Sequence, residues 1–373
     1  MSLFQIALRN ILRRRLRTSL TLGGVTVGIA AFVALVGFSR SFEREWLRLY
    51  QSAGTDIAVV QKTFINTSID EHLVDRVRAL PVVADAVPMI LNMMDLTPEV
   101  NALVYAFPEN SFEMDALKVV EGRRLQEGRP EVMLGEVLAD NLAKKVGDSL
   151  ELQGTPFRVV GIFRGGSAFE TGAALVAIHQ LQKLADLGDK VTAFHVRLRP
   201  AGPGESLDDH LKKARAAIEA ALPGLKAVPA GEMSRTNQLV VLARSTAWGT
   251  SLIALLIGAL GIANTMAMSV FERTREIGVL RALGWKRARV MKLILMEAAV
   301  LGFAGGVLGL VAGWAALHAL TVLPATANIA YASIPLAHAA EALSIAVVIG
   351  LAAGFVPALR GARLAPVDAL RYE

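Results

Sequence analysis

Four long apolar stretches interrupt a chain whose remaining sequence mixes apolar, polar and charged residues. They cover residues 18–38, 246–270, 293–322 and 339–359 and contain almost no charged side chain. A helix of about 20 such residues crosses the roughly 30 Å hydrocarbon core of a bilayer. The pattern therefore predicts four transmembrane helices, here called spans one to four.

Basic residues flank these stretches unevenly. Five arginines precede span one, seven lysines or arginines separate spans two and three, and three arginines follow span four, whereas residues 323–338 have none. Lysine and arginine are enriched in cytoplasmic loops. We therefore expect segments 1–17, 271–292 and 360–373 to be cytoplasmic, and 39–245 and 323–338 to lie outside.

Residues 1–17 predict a cytoplasmic amphipathic helix at the membrane surface. Phe4, Leu8, Ile11 and Leu12 share one helical face, while arginines repeat every fourth position on another. Such a helix places its apolar side among the lipid headgroups. The apolar run that follows is longer than the roughly 7–15 residues of a cleavable signal peptide, so we expect it to remain as an anchor.

Glycines recur at four-residue spacing within the spans. Because apolar side chains gain little from meeting one another in lipid, helices there approach closely through small residues. We expect span three, which has three overlapping glycine pairs, to make the tightest helix contact. The predicted packing glycines are Gly24, Gly28, Gly302, Gly306, Gly309, Gly313, Gly350 and Gly354.

Residues 39–245 predict a folded outer domain on a helical stalk. Phe42, Trp46 and Leu49 continue helical spacing beyond span one, and Leu239 and Leu242 do so before span two. An apolar stripe exposed to water needs a partner, and the other stalk helix is the nearest one.

The outer domain itself alternates short strand-like runs with helical ones. Strands are expected at 56–60, 157–163, 173–178 and 192–198, helices at 70–79, 136–145 and 206–221, and a hairpin at 147–161. The whole chain is thus predicted to be an α-helical membrane protein with four transmembrane helices plus an α+β extracytoplasmic domain on a helical stalk.

Composition narrows the function. The chain is 53% hydrophobic, has a net charge of +6 and lacks cysteine. The basic residues flank the spans, so we expect a lipid membrane rather than nucleic acid as the partner. No histidine pair has metal-ligand spacing, no catalytic set is evident, and no G-x-x-x-x-G-K-[ST] loop occurs. We expect no metal, no cofactor and no catalysis in this chain, and any ATP hydrolysis in another one.

The loop between spans two and three is the most informative segment. Glu272 and Glu276 stand among its arginines, although a loop that only sets orientation needs no acid. Docking of a short helix into a groove on a partner protein would account for them. Pairing between side chains within the helix is the alternative. Glu297, one turn inside span three, is expected to be an interfacial group that pairs with a basic residue of this loop.

The segment Glu272–Gly284, E-R-T-R-E-I-G-V-L-R-A-L-G, resembles the signature of FtsX/MacB-type ABC transporter permeases. Three further segments resemble the same family. They are residues 7–18 at the start of the chain, residues 130–161, which are similar to the MacB-type periplasmic core domain, and residues 366–371, which are similar to the family's closing motif. The sequence departs from the family in two respects. Trp285 stands where the family commonly has a small residue, and the fused N-terminal ATPase that MacB itself carries is absent here.

The resemblance implies a permease subunit that pairs with a second permease copy or a homologous permease and sits on a cytoplasmic ABC ATPase dimer, which binds ATP and Mg. It also implies location in a bacterial inner membrane. The loop would be the coupling helix that contacts the ATPase. Its implied residues are Glu272, Arg273, Thr274, Arg275, Glu276, Ile277, Gly278, Arg281 and Gly284.

For function, the resemblance implies transmission of ATP-driven motion to the outer domain, to export or extract a lipid, lipoprotein, peptide or drug. A periplasmic adaptor with an outer-membrane channel, or a soluble carrier, would then receive the cargo. The alternative is an FtsX-like regulator that activates a cell-wall hydrolase; FtsX-type outer domains are typically smaller than residues 39–245.

Overall fold

The computed structural model describes residues 15–62, 68–98, 100–126, 128–233, 237–322 and 335–365. Three predictions fall wholly or largely outside this part of the chain. They are the amphipathic helix at 1–17, the outer loop at 323–338 and the closing motif at 366–371.

The helices and strands follow one another along the whole described chain. The helices are α1 (Arg15–Ser52), α2 (Leu73–Arg78), α3 (Phe112–Ala116), α4 (Glu136–Asn141), α5 (Ala168–Thr171), α6 (Ile178–Leu184), α7 (Leu207–Ala221), α8 (Gln238–Glu272), α9 (Thr274–Ala282), α10 (Arg287–Val322) and α11 (Leu336–Arg363). The strands are β1 (Ile57–Gln61), β2 (Ile69–Asp70), β3 (Val83–Thr97), β4 (Val100–Phe107), β5 (Lys118–Gly122), β6 (Glu131–Gly135), β7 (Ser149–Leu152), β8 (Thr155–Arg164), β9 (Ala174–Ala177), β10 (Lys190–Val191), β11 (Ala193–Leu198) and β12 (Leu225–Pro229).

The described residues divide into two compact units. The membrane unit comprises 15–40, 243–319 and 335–365, and the outer unit comprises 41–242 and 320–322. In the membrane unit, α1, α8, α10 and α11 are long and apolar enough to cross a bilayer, and these are the four such helices among the described residues. Each extends beyond the predicted apolar span, because a helix does not have to end where its sequence becomes polar.

The outer unit is built on one mixed sheet with strand order β12-β1-β11-β3-β4-β9-β6-β8-β5, to which β7 adds by pairing with β8. Most neighbours are antiparallel, whereas β4 with β9 and β6 with β8 are parallel. This arrangement, with short helices between strands, is an α+β fold. The predicted fold class is therefore confirmed.

One face of this sheet carries the larger core. Phe157, Phe194 and Leu134 are fully buried there, and α2, α4, α6 and α7 contribute further apolar side chains. The helix α7 shows how the sequence forms these elements. Ser206 accepts a hydrogen bond from the backbone N–H of Asp209 and so caps the helix, and Ala214 and Ile218 then lie four apart on its buried face.

The second face of the sheet is covered by the outer end of α1. Trp46, Leu49 and Tyr50 pack there with Phe169 and Phe163. The predicted stalk residues of α1 are thus core residues of the outer unit, because their helix lies on the sheet and does not stand away from it.

The predicted hairpin is present as β7 and β8, which pair antiparallel across Gln153 and Gly154. Both turn residues have positive φ, as a two-residue type I′ turn requires. The longest hairpin, β3 with β4, was not predicted. Pro88 and Asp95 interrupt the alternation within β3, and proline is ordinarily a signal against a strand interior.

Candidate functional site: the loop between spans two and three

The segment between spans two and three folds as the short helix α9. Its end is a Schellman motif, with the N–H of Trp285 bonded to the carbonyl of Leu280 at 3.1 Å and the N–H of Gly284 to that of Arg281 at 3.1 Å. Gly284 has φ +91°, a conformation that glycine adopts without steric cost. The glycine therefore sets where this helix stops and where α10 begins.

One side of α9 is held against the membrane unit. Ile277 and Gly278 are buried, and Ile277 joins the apolar core of the spans. Arg273, at the start of the helix, donates to Glu297 of α10 at 2.9 Å and to Glu276 at 3.1 Å. Glu297 is 2% exposed, so this guanidinium neutralises a carboxylate that has almost no access to water.

The pairing of Glu297 with a basic residue of the loop is as predicted. The side chain of Arg273, which the family resemblance implies as a contact for the ATPase, is only 17% exposed and is bonded to Glu297 and Glu276. Its contact with a partner stays a prediction. Glu272 is similarly engaged, because Arg17 of α1 donates to it at 2.9 Å.

The opposite side of α9 is open. We define the outward face as Arg275, Glu276, Val279 and Leu283; all four residues are exposed, Leu283 to 75%. Val279 and Leu283 were missed as site residues. Val279 lies four residues after Arg275, and Leu283 lies four after Val279; this spacing was a usable signal, since residues four apart share a helical face. Thr274 and Arg281 lie between the two sides, and each bonds a nearby backbone carbonyl.

The glycines of span three lie in two rows. A Cβ at Gly309 would lie 2.6 Å from Cβ of Ile29, and one at Gly313 would lie 2.8 Å from Cβ of Val33. This row therefore faces span one, at a distance that leaves no room for a side chain. Gly305, one turn earlier, faces Val25 in the same way.

The second row faces span four. A Cβ at Gly302 would lie 2.5 Å from the carbonyl oxygen of Ala346 and 3.2 Å from Cα of Gly350, and one at Gly306 would lie 2.7 Å from Cβ of Ala346. Gly354 of span four faces Ala298 of span three. Span three thus packs on two neighbours through two separate glycine rows.

Span one also contacts span two closely. A Cβ at Gly28 would lie 2.9 Å from the carbonyl oxygen of Ala254. No described residue lies within 4 Å of the corresponding position at Gly24, but a Cβ at Gly258 would lie 3.4 Å from the Gly24 carbonyl oxygen. Gly24 is therefore approached closely on its backbone, and its Cβ side is open toward the described residues.

An ion pair that the sequence did not reveal joins spans one and four. Arg40 donates to Glu341 at 3.0 Å and to Nδ1 of His338 at 2.9 Å. His338 is 3% exposed, and Phe32 packs against its ring. The start of span four thus holds charge that its apolar composition conceals.

The predicted stalk residues are divided between buried and exposed positions. Phe42 and Trp46 stack with ring centroids 6.0 Å apart, and both pack on Phe169. Leu239 and Leu242 are 46% and 60% exposed, so the expected pairing with the α1 residues is wrong for these two. The neighbouring Val240 lies on the other face of α8 and packs in the same apolar cluster as Trp46 and Leu49 of α1.

Beneath α1, the outer unit buries a small polar cluster. Nδ1 of His195 lies 2.5 Å from Glu113, which also accepts from Thr55. Nearby, Glu170 is 9% exposed, and burial raises the pKa of its carboxyl, while hydrogen bonds from Ser167 oppose that shift. No group of three or more His, Asp or Glu side chains within the described residues could hold a metal ion.

Family models match both units of the chain. The MacB-like periplasmic core domain matches residues 18–221, and the FtsX-like permease C-terminal domain matches residues 248–366. Four membrane helices, a MacB-like outer domain and a helical loop between spans two and three define an ABC-type membrane permease, a non-catalytic transporter component. The chain belongs to the family of MacB/FtsX-type ABC transporter permeases, as the loop motif predicted.

Two relatives and one solved structure are similar to this chain. An uncharacterized ABC transporter permease, YvrN of Bacillus subtilis (strain 168), is 30% identical over 99% of both chains. The macrolide export ATP-binding/permease protein MacB of Nitrobacter winogradskyi is 28% identical over 95% of this chain and 58% of its own length. The solved periplasmic region of MacB from Actinobacillus actinomycetemcomitans is 13% identical, with a TM-score of 0.39, over 50% of this chain and 94% of its own.

Proposed function

We propose that this permease transmits the motion of a separate ATPase from the loop to the outer domain, and so exports or extracts a hydrophobic or amphipathic cargo. ATP and Mg would be bound by a cytoplasmic ATPase dimer. The observation that carries the proposal is the two-sided helix α9. One side is fixed to span three by the Arg273–Glu297 pair, and the outward face is free to dock.

Motion of α9 can reach span three directly, because Arg273 binds Glu297 there at 2.9 Å. Span three contacts span one through the glycine row that includes Gly309 and Gly313. Rigid, closely packed helices transmit displacement without absorbing it in side-chain rearrangement.

Span one then provides the connection outward. It is a single helix from Arg15 to Ser52, and its last turns, with Trp46 and Leu49, form part of the outer unit's core. A shift of this helix along its axis would therefore displace residues on which the outer sheet packs. Cargo would be moved by the outer domain, with no need for a polar path through the spans.

Export as the direction is supported by one relative, the macrolide export ATP-binding/permease protein MacB. We propose as cargo a lipid, lipoprotein, peptide or drug, taken up from the outer leaflet of an inner membrane or from the periplasm. A second permease, an adaptor with an outer-membrane channel or a soluble carrier would complete the system. The match to the MacB-like domain favours this over the FtsX-like regulator.

The test is the outward face of α9. We expect Glu276→Lys together with Leu283→Glu to abolish co-purification of the ATPase that accompanies the wild-type permease, and to abolish stimulation of its ATPase rate. Lys292→Glu, an exposed charge reversal outside α9, is the matched control and should leave both intact.

Membrane insertion should equal that of the wild type, and thermal stability should fall by about 1 kcal/mol or less, because neither side chain is buried and Glu276→Lys removes only an exposed ion pair with Arg273. If ATPase binding and stimulation both survive the double substitution, the outward face is not the docking surface and the proposed transmission from α9 is wrong.

A further inference from the structure

An open cavity of about 260 Å³ lies on the second face of the sheet, entirely within the outer unit. Val60 of β1 and Met89 and Leu91 of β3 line it, together with Trp46 of α1 and Val228 of β12. A cavity of about 150 Å³ lined by apolar side chains is already large enough to bind benzene. This one is larger and mostly apolar, so it can hold part of an apolar ligand.

The register of the sheet explains why these residues meet. Val60 pairs directly with Lys226, and Met89 with Ala193, and directly paired residues point to the same face of a sheet. The outer end of α1 covers most of that face with large side chains. It leaves this area, near the edge strand β12, unfilled.

The charge of the lining is one-sided. Lys62 and Lys226 are its charged members, and no aspartate or glutamate is among the described residues that line it. Neither lysine forms an ion pair with a described residue, whereas Lys213 of the same unit pairs with Glu205. Two ammonium groups without a described acidic partner beside an apolar cavity favour an anion.

A buried hydrogen-bond donor adds to this. Trp46 is 7% exposed, lines the cavity, and its indole N–H finds no acceptor among the described residues. Buried donors in proteins are nearly always paired, and an unpaired one calls for an explanation. A bound ligand that carries an acceptor would supply the missing partner.

From these features we propose that the cavity is a binding site for a single-chain amphiphile with an anionic head, either a carboxylate or a phosphate. The apolar chain lies against Val60, Met89 and Leu91, and the head lies between Lys62 and Lys226. The volume suits one chain. The site belongs to the permease alone and does not depend on the proposed transmission of motion.

Fluorescence of Trp46 tests the proposal in the full-length permease, in phosphatidylcholine nanodiscs without ATPase. The chain has four tryptophans, and replacing the other three by phenylalanine (Trp248→Phe, Trp285→Phe and Trp314→Phe) leaves Trp46 as the reporter. The probe is ω-bromoundecanoate, whose bromine quenches a nearby indole. Its trimethylammonium and alcohol counterparts differ only in the head, and a bromine-labelled alkyl phosphate tests the second head.

We expect saturable quenching by the carboxylate or the phosphate probe. The ammonium and alcohol probes should bind at least roughly tenfold more weakly than the anionic ones. Lys62→Glu with Lys226→Glu should weaken binding of the anionic probes by a similar factor. Lys145→Glu, an exposed charge reversal elsewhere in the outer unit, should leave it unchanged. Val60→Phe, which fills the cavity, should weaken all four probes.

Quenching that is unsaturable, or equal for all four heads, would show that the probe reaches Trp46 only through the bilayer, and would overturn the proposal. So would binding that the double lysine reversal leaves intact. Should the three tryptophan replacements prevent folding, a diazirine-bearing undecanoate on the wild-type chain gives the same decision. Labelling at 60–62 or 226–228 supports the site, and labelling confined to the spans refutes it.

Discussion

The membrane unit and the outer unit are packed by different means. In the outer unit Phe157, Phe163 and Phe194 are among the fully buried side chains, as Phe32 is in the membrane unit. In the membrane unit the closest contacts are made by residues with little or no side chain, such as Gly302 against Ala346. Water drives large apolar groups inward, whereas lipid does not, so helices in lipid gain more from close backbone approach.

Within the membrane unit, the apolar surface of the spans is buried to different extents. In span three, 44% of the most apolar stretch is buried, compared with 17% in span two. Leu256 and Leu260 of span two are 55% and 70% exposed. An apolar residue therefore predicts burial in the outer unit but not in the membrane unit, where glycine is the better guide.

Truncation of a large side chain should separate the units most clearly. Phe194→Ala removes a fully buried ring and should lower the stability of the outer unit by about 3–5 kcal/mol. Leu256→Ala, on a bare face of span two, should change the stability of the membrane unit by about 0.5 kcal/mol or less. Hydrogen exchange of the full chain in nanodiscs measures both. A large loss at Leu256 would mean that this face is covered by protein.

The next effect concerns the ion pair that fixes α9. Arg273→Ala leaves the nearly inaccessible Glu297 without its guanidinium and should destabilise the membrane unit by about 3–5 kcal/mol. The same experiment on Arg273→Met with Glu297→Leu should recover most of this loss, since no charge is then buried. If the double variant were as unstable as Arg273→Ala, the loss of stability would not come from leaving the carboxylate of Glu297 unpaired.

Added bulk should destabilise the membrane unit where two helices are in close contact and should have little effect where a helix face is open. Gly302→Leu drives a side chain into the carbonyl of Ala346 and should cost about 1–3 kcal/mol or more, measured as a lower midpoint of thermal unfolding. Gly261→Leu is the matched control, because no described residue lies within 4 Å of its added Cβ. Equal effects at the two positions would contradict the importance of close backbone contact.

The sequence predicted the features that depend on neighbouring residues along the chain, such as the membrane spans, better than those that depend on residues far apart in the chain. The spans were found because an uninterrupted apolar run needs no tertiary partner to be recognised. The inward turn of Arg273 depends on Glu297, which is 24 residues away, and the buried pair of Glu113 and His195 joins positions 82 residues apart. The sequence predicted that Glu297 pairs with a basic residue of the loop, but the choice of Arg273, and the pairing of Glu113 with His195, depend on the three-dimensional fold.

The smallest effect concerns a buried acid, which the outer unit tolerates beneath α1. Burial raises the pKa of Glu170, so the folded state holds its proton at pH values where the unfolded chain has released it. Its contribution to stability is therefore fully present below the unfolded pKa and is lost as the pH rises through the folded one. Glu170→Gln should remove that loss and make the outer unit more stable than the wild type above this range, by less than the glycine effect.

An exposed acid of the same unit supplies the opposite sign. Arg164 donates to Glu136 at 2.6 Å and lowers the pKa of its carboxyl. The stability that this pair contributes is present above the unfolded pKa and is lost as the pH falls through the folded one. Unfolding midpoints measured across acidic and neutral pH should thus diverge, with Glu170→Gln gaining on the wild type as pH rises and Glu136→Gln losing on it. If Glu170→Gln instead lost stability as pH rose, the carboxylate would be the form that the fold prefers, and its hydrogen bonds from Ser167 would outweigh burial.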